Sequence, residues 1–132
     1  MREIIFRGKT ESSKRWVYGD LLQFSIGDMC ICENRNDFEK DKYGVIPETV
    51  GQYTGLTDKN DKRIFEGDVV KAYDETYDNG FAEVKGKLFF NCGSFDIDVE
   101  DVGYIPLYSY GTENIEVIGN IHDNPELLEA KS

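Results

Sequence analysis

The chain has 132 residues, and its 26 acidic and 15 basic side chains give a formal net charge of −11 at pH 7. A chain of this length is typical of one domain with a hydrophobic core, since it buries roughly 65–70% of its unfolded surface. The excess of carboxylates disfavours direct binding to DNA or RNA, which depends on cationic side chains that neutralise phosphates. No segment approaches the roughly 20 apolar residues that span a bilayer, so we expect no membrane contact.

The cysteines and the first residues favour a cytoplasmic protein. Cys30, Cys32 and Cys92 are odd in number, which argues against the disulfide framework of a small secreted domain. The first residues contain a single short apolar run, Ile4 to Phe6, which is too short for the core of a secretory signal. We therefore expect a cytoplasmic location and reduced thiols.

The first half of the chain is predicted to be a meander of strands. Apolar segments at 16–18, 21–26 and 29–32 are interrupted by Gly19-Asp20 and Gly27-Asp28. Glycine followed by aspartate favours tight turns or bulges, and Gly67-Asp68 carries the same signal later in the chain. Residues 33–44 are rich in charged side chains and have little to bury, so we expect a mobile loop there.

A β-hairpin is the clearest prediction in the second half. Residues 95–100 and 82–90 both alternate between apolar and polar side chains, and the segment 91–94 between them reads as the connection. Asp78-Asn79-Gly80 predicts a second tight turn, because aspartate, asparagine and glycine tolerate a positive φ. Residues 115–121 predict a last strand.

The chain ends with the signals of a short helix. Asn124 is a favourable N-cap, Pro125 suits the first helical position, and Glu126 complements the helix dipole. Together the elements predict a mostly β fold: a single compact domain of antiparallel strands and hairpins with a short C-terminal helix. The strands are expected to form either a barrel or two small packed sheets.

The sequence contains no recognisable catalytic or metal-binding motif. Cys30, Cys32, Cys92 and His122 are the possible members of a zinc site, but ligand pairs in such sites are usually two to four residues apart. The segment that begins at Asp58 departs from the calcium-binding loop pattern at three key positions. No nucleophile elbow and no phosphate-binding glycine motif occurs. We therefore predict no catalytic, cofactor-binding or metal-binding residue, and a protein that is not an enzyme.

Two features point instead to binding. Tyr104, Tyr108 and Tyr110 surround Pro106 without a nearby cation, and tyrosine is common at protein interfaces as well as in the cores of small β-domains. Residues 1–15 have a net charge of +3, whereas residues 88–132 have a net charge of −8. This opposition can steer head-to-tail contacts between copies or attract a basic partner, or it keeps the protein soluble.

Several segments, taken in order, resemble the YopX family. They are MREIIFRGK at 1–9, WVYGDL at 16–21, VGQYTGLTDKN at 50–60, IFEGDVV at 64–70 and VIGNIHDNPELL at 117–128. The resemblance implies one YopX-like domain over residues 1–132, a mostly β fold, and a cytoplasmic location in a host of a phage or prophage. It also implies homo-oligomers, with a hexamer as one subunit count. It implies no established activity, no cofactor and no catalytic residue.

The resemblance has one local departure. The family commonly has glycine where this chain has Asp61, and aspartate adopts a positive φ at a cost of roughly 1 kcal/mol. We expect the turn to be retained. The polar residues near the turn glycines of the 50–60 and 64–70 segments are explained by backbone capping or by contact with a ligand or partner.

We predict a non-enzymatic phage or prophage accessory protein that acts by binding as a homo-oligomer, with a host protein as a further candidate partner. One alternative is an acidic DNA mimic that inhibits a host nucleic-acid enzyme, because carboxylates at 96, 98 and 100 recur about every 6.6 Å along a strand. Another alternative is a sponge for a nucleotide-like small molecule. The candidate partner surface comprises Trp16, Gln52, Tyr53, Glu66, Asp68, Tyr104, Tyr108 and Tyr110.

Overall fold

Antiparallel β-strands form most of the regular structure in this computed structural model, which describes residues 2–37, 39–73, 83–100 and 102–128. The chain divides into two compact units, Met1–Gly55 and Leu56–Ser132. Each unit is described separately below. The prediction of a single domain stays a prediction.

The first unit is built on one antiparallel sheet. Its elements are β1 Phe6–Lys9, β2 Trp16–Gln23, β3 Met29–Cys32, β4 Lys42–Val45, the 3₁₀ helix Pro47–Thr49, and β5 Gly51–Thr57, whose last two residues belong to the second unit. The strand order is β4-β3-β2-β1-β5. Neighbouring strands are antiparallel, and β1 pairs with both β2 and β5.

The sheet of the first unit curls so that β4 returns to the end of β1. Thr10 forms an isolated bridge with Val45, and the Ile46 N–H donates to the Lys9 carbonyl at 2.9 Å. The curl encloses Val17, Ile31 and Val45, which are all fully buried. Because successive side chains of a strand point to opposite faces, every second side chain of each strand lies on the inner face.

The second unit contains a five-stranded antiparallel sheet. Its elements are β6 Arg63–Phe65, β7 Asp68–Tyr73, β8 Glu83–Asn91, β9 Ser94–Val99, β10 Gly103–Pro106, β11 Ile115–Asn120, and the 3₁₀ helices Leu107–Ser109, Thr112–Asn114 and Pro125–Leu128. The sheet has the order β10-β9-β8-β7-β11. Val70, Leu88, Ile97, Leu107 and Ile115 form the centre of its hydrophobic core, each no more than 1% exposed.

The structure confirms the mostly β fold and the predicted hairpin. Asn91 pairs with Ser94, and the two residues between them, Cys92 and Gly93, have φ angles of 50° and 84°. Two consecutive positive φ angles are the mark of a type I′ turn, whose twist suits a hairpin. The predicted C-terminal helix is the four-residue 3₁₀ helix Pro125–Leu128. The predicted turn at 78–80 lies outside the described residues.

Two local predictions in the first unit were wrong. Gly19-Asp20 makes neither the tight turn nor the bulge that its sequence predicts, because β2 runs through it without interruption and its pairings with β1 and β3 show no register shift. The glycine serves a close approach instead, since a Cβ at Gly19 would overlap the carbonyl oxygen of Cys32 on β3. Residues 33–44 are not all loop, because Lys42–Val45 forms β4. That strand depends on Val45, which is fully buried, and on Tyr43, which packs beside it.

Candidate interaction surfaces

The predicted surface residues differ widely in their exposure. Tyr104 and Tyr108 are 60% and 77% exposed, whereas Tyr53 and Tyr110 are each 8% exposed and Asp68 is 1% exposed. Trp16, Gln52 and Glu66 are partly buried. Of the three C-terminal tyrosines, two therefore point to solvent, while Tyr110 belongs to the core of the second unit. Their role in partner contact stays a prediction.

Three exposed side chains follow one another along a sheet edge, and we call Val102, Tyr104 and Tyr108 the tyrosine edge. Val102 is 66% exposed, which is comparable with the two tyrosines. Tyr104 lies on β10, the first strand in the order of its sheet, and Tyr108 lies in the following 3₁₀ helix. Edge strands offer unpaired backbone groups, and exposed apolar clusters mark interaction sites. The tyrosine edge thus combines both properties.

The tyrosine edge is held by aromatic packing and flanked by carboxylates. The ring centroids of Tyr104 and Phe89 are 4.9 Å apart in an edge-to-face arrangement. Tyr104 pairs with Asp98 across β9 and β10, and Glu100 is exposed just beyond the end of β9. An aromatic centre with a charged border is the usual composition of a protein interface.

Asp96 has a local role within the hairpin. Its side chain is 6% exposed. One carboxylate oxygen accepts a hydrogen bond from the Ser94 hydroxyl at 2.7 Å, and the other accepts one from the Asn91 amide at 3.1 Å. Asp98, two residues on, pairs across the sheet with Lys87. The alternating carboxylates of β9 therefore do not form a uniformly acidic exposed row.

Trp16 is the centre of a basic and aromatic group on one face of the first sheet. Lys9 pairs with Trp16, and Arg7 pairs with Tyr18, so these four side chains lie on the face opposite Val17. The Arg7 guanidinium carbon lies 4.6 Å from the centroid of the Trp16 ring, and the Lys9 ammonium lies 5.5 Å from it. Both distances fall within the range of cation–π attraction.

We call Arg7, Lys9, Trp16 and Tyr18 the β1–β2 strip. Sequence reasoning selected Trp16 but missed its cations. The available signal was the alternation of Arg7 and Lys9 on β1 and of Trp16 and Tyr18 on β2, which places all four on one face once the two strands pair. Tyr18 is 44% exposed, whereas Arg7 is 5% exposed. The strip therefore presents an aromatic surface above a buried guanidinium.

In the glycine turn between β6 and β7, the side chain of Asp68 bonds to the backbone of the same turn. One carboxylate oxygen of Asp68 accepts a hydrogen bond from the Phe65 N–H at 2.7 Å. Gly67 has a φ of 89°, and its carbonyl accepts a hydrogen bond from the Ile121 N–H at 2.8 Å. The Asp68 contact thus closes the turn itself, whereas the Gly67 contact joins the 64–70 segment to the 117–128 segment.

Asp58 is a further buried carboxylate, which sequence reasoning considered for calcium alone. Its oxygens accept three hydrogen bonds from backbone N–H groups, those of Asn60, Lys62 and Val117, at 2.8–2.9 Å. Burial by itself raises the pKa of Asp58, but these three bonds and the Lys62 charge outweigh it, so the pKa lies below its ordinary value. Asp58 is therefore a structural anion.

A cleft of about 520 Å³ opens in the first unit beside the N-terminal segment. Its charged lining residues are Arg2, Glu3, Asp20, Glu33 and Arg35. Within it, Arg35 and Asp20 form an ion pair at 2.8 Å. Across residues 2–37, 39–73, 83–100 and 102–128, no three His, Cys, Asp or Glu side chains group in a way that could hold a metal ion. No helix in the same ranges is long and apolar enough to cross a membrane.

Comparisons with known proteins agree with the fold. The protein yopX from Bacillus subtilis has 22% sequence identity, full coverage of both chains and a TM-score of 0.60. The protein EF1440 from Enterococcus faecalis has 24% identity and a TM-score of 0.55, over 98% of this chain and 100% of its own. No curated protein gives a significant match. The family model described as YopX protein matches residues 5–129, and the chain therefore belongs to the YopX family.

Proposed function

We propose that this protein is a phage or prophage accessory protein that acts by binding and works as a homo-oligomer. The phage or prophage origin is what the resemblance to the YopX family implies, and the family match over residues 5–129 supports that resemblance. The binding role rests on the tyrosine edge, where three large side chains are 60–77% exposed at β10, which is the terminal strand of its sheet among the described residues.

Self-association is supported by the physical chemistry of this edge. Large exposed side chains at the edge of a sheet can be buried against another chain, and this burial gives affinity without any catalytic group. Tyrosine adds a large ring with few rotatable bonds, so ordering it costs little conformational entropy. A host protein that presents a complementary surface would use the same edge.

The DNA-mimic alternative has less support from the described residues. Mimicry of a phosphate track needs a row of exposed carboxylates, but Asp96 is buried and hydrogen-bonded within its own hairpin. Asp98 lies across the sheet from Lys87, so a cation interrupts the row of carboxylates on that face. Self-association is the better-supported form of binding.

The small-molecule alternative has one observation in its favour. The 520 Å³ cleft of the first unit has the volume of a typical ligand pocket, and Arg2 and Arg35 are cations in its lining. Thermal unfolding with a panel of nucleotides tests it, because a ligand that binds the native state alone raises Tm. An unchanged Tm with every nucleotide would remove this candidate.

The main proposal is tested by measuring mass in solution. Light scattering across a dilution series should give a mass above the 15.1 kDa of one chain. The double variant Tyr104→Ser/Tyr108→Ser should shift the protein toward the monomer. Tyr73→Ser is the matched control, since Tyr73 is 45% exposed on β7 and lies outside the tyrosine edge. A wild-type protein that is monomeric at every concentration would overturn the proposal.

A further inference from the structure

We propose that the tyrosine edge of one copy docks on the β1–β2 strip of a second copy, so that the contact joins two different surfaces. This inference rests on the proposed function, because it assigns the surface that receives the tyrosine edge. It makes the contact heterologous, with the second unit of one chain against the first unit of another.

Charge is distributed unequally between the two units. This difference favours contact between an edge and a strip over contact between two edges. Residues 1–55 contain eight basic and nine acidic side chains, a net charge of −1, whereas residues 56–132 contain seven basic and seventeen acidic, a net charge of −10. Contact between two tyrosine edges would bring together two units that each carry −10. Contact between the edge and the strip places the acidic unit against the nearly neutral one, which costs far less electrostatic repulsion.

The local chemistry of the two surfaces is complementary as well. The strip has cationic side chains, Arg7 and Lys9, arranged around the Trp16 ring. The edge has Tyr104 with Asp98 paired beside it and Glu100 exposed nearby. Docking would place tyrosine against tryptophan at the centre and lysine against carboxylates at the border. Aromatic centres of this kind carry much of the energy of protein interfaces.

A heterologous contact makes a prediction that a contact between identical surfaces does not make. Each copy has one edge and one strip, so contacts repeat from chain to chain and give a ring or an open array. A chain with a damaged edge still has an intact strip, and a chain with a damaged strip still has an intact edge. Two such chains can therefore complement each other when they are mixed.

The experiment uses full-length variants of each surface. The edge variant is Tyr104→Ser/Tyr108→Ser, and the strip variant is Lys9→Glu, which reverses a charge beside Trp16 without removing a buried group. Lys40→Glu is the control, because it makes the same charge change at an exposed loop residue outside the strip. We expect each surface variant alone to self-associate at least about tenfold more weakly than wild type. The edge variant loses two aromatic contacts, and the strip variant opposes like charges across the interface. The control should stay within about twofold of wild type.

Mixing the edge variant with the strip variant distinguishes a contact between different surfaces from a contact between identical ones. Equal amounts of edge variant and strip variant should form a complex of two chains, because one intact contact remains. Trp16, the single tryptophan, supplies a second readout, since docking over the strip should shift its fluorescence to shorter wavelength. Both signals should weaken at high salt.

Failure of the heterologous contact can be distinguished from failure of the proposed function. A strip variant that assembles as well as wild type, or a mixture that forms no complex, would overturn the heterologous contact while leaving the edge as the binding surface. An edge variant that assembles as well as wild type would overturn the proposed function itself. Circular dichroism of both variants verifies that each is folded before its mass is interpreted.

Discussion

The carboxylate of Asp58 accepts a hydrogen bond from the backbone N–H of Val117 at 2.9 Å, although the two residues are 59 positions apart in the chain. The other carboxylate oxygen accepts N–H groups of Asn60 and Lys62, and so closes the turn between β5 and β6. The register of β11 against β7 shifts between Val117 and Gly119. One buried side chain thus fixes a turn and an irregular strand at the same time.

We predict that Asp58→Asn destabilises the protein by about 1–3 kcal/mol. An asparagine keeps one acceptor oxygen but places an NH₂ group where the other oxygen accepts a backbone N–H, so a buried donor loses its acceptor. Denaturant unfolding followed by fluorescence measures the loss. Asp61→Asn is the control, because Asp61 is exposed in the same turn and asparagine also tolerates its conformation. Equal stability of Asp58→Asn and wild type would contradict the structural role of Asp58.

Acid should weaken the fold through the same residue. The pKa of Asp58 is lower in the folded protein than its ordinary value of 3.8, since the backbone hydrogen bonds to its charged form outweigh the effect of burial. A lowered folded pKa contributes stability above the unfolded pKa, and this stability is lost as the pH falls through the folded pKa. As the pH falls below about 5 and through the ordinary value of 3.8 toward the lower folded pKa, stability should fall less in Asp58→Asn than in wild type. Parallel curves for the two proteins would contradict this linkage.

How far the sequence predicts the structure depends on the range of the interactions involved. The 91–94 turn is predictable because its glycine and the alternating strands on either side are local signals. β4 is not, because Val45 becomes buried through its pairing with Thr10, 35 residues earlier. The tyrosine edge is predictable only in part, because the sequence shows where the tyrosines are but not which of them are exposed. That Tyr104 is exposed and Tyr110 buried depends on the position of β10 at the end of its sheet order.

The turn after Asp58 offers a route to higher stability. Asp61 has a φ of 65°, a conformation that glycine adopts without steric cost. We predict that Asp61→Gly stabilises the protein by a few tenths to about 1 kcal/mol, since relief of the unfavourable φ exceeds the added flexibility of the unfolded chain. Thermal unfolding should show a higher Tm. Asn60→Gly, at a neighbouring position without a positive φ, should lower the Tm, and an increase of equal size there would show that the backbone conformation is not the cause.

Gly86 on β8 should be the least replaceable glycine in the second sheet. It pairs with Val99, and a Cβ at this position would overlap the Asp98 carbonyl and lie 2.9 Å from the Ile97 methyl carbon. Backbone atoms cannot move aside as a side chain can, so we predict that Gly86→Ala costs about 3 kcal/mol or more. Gly44→Ala is the matched strand control, because the nearest atoms to its Cβ are those of Glu11 at 3.9 Å. This change should be neutral or stabilise by up to about 1 kcal/mol. Denaturant unfolding of both variants measures the difference, and similar stabilities would mean that β8 and β9 approach less closely at Gly86 than the structure places them.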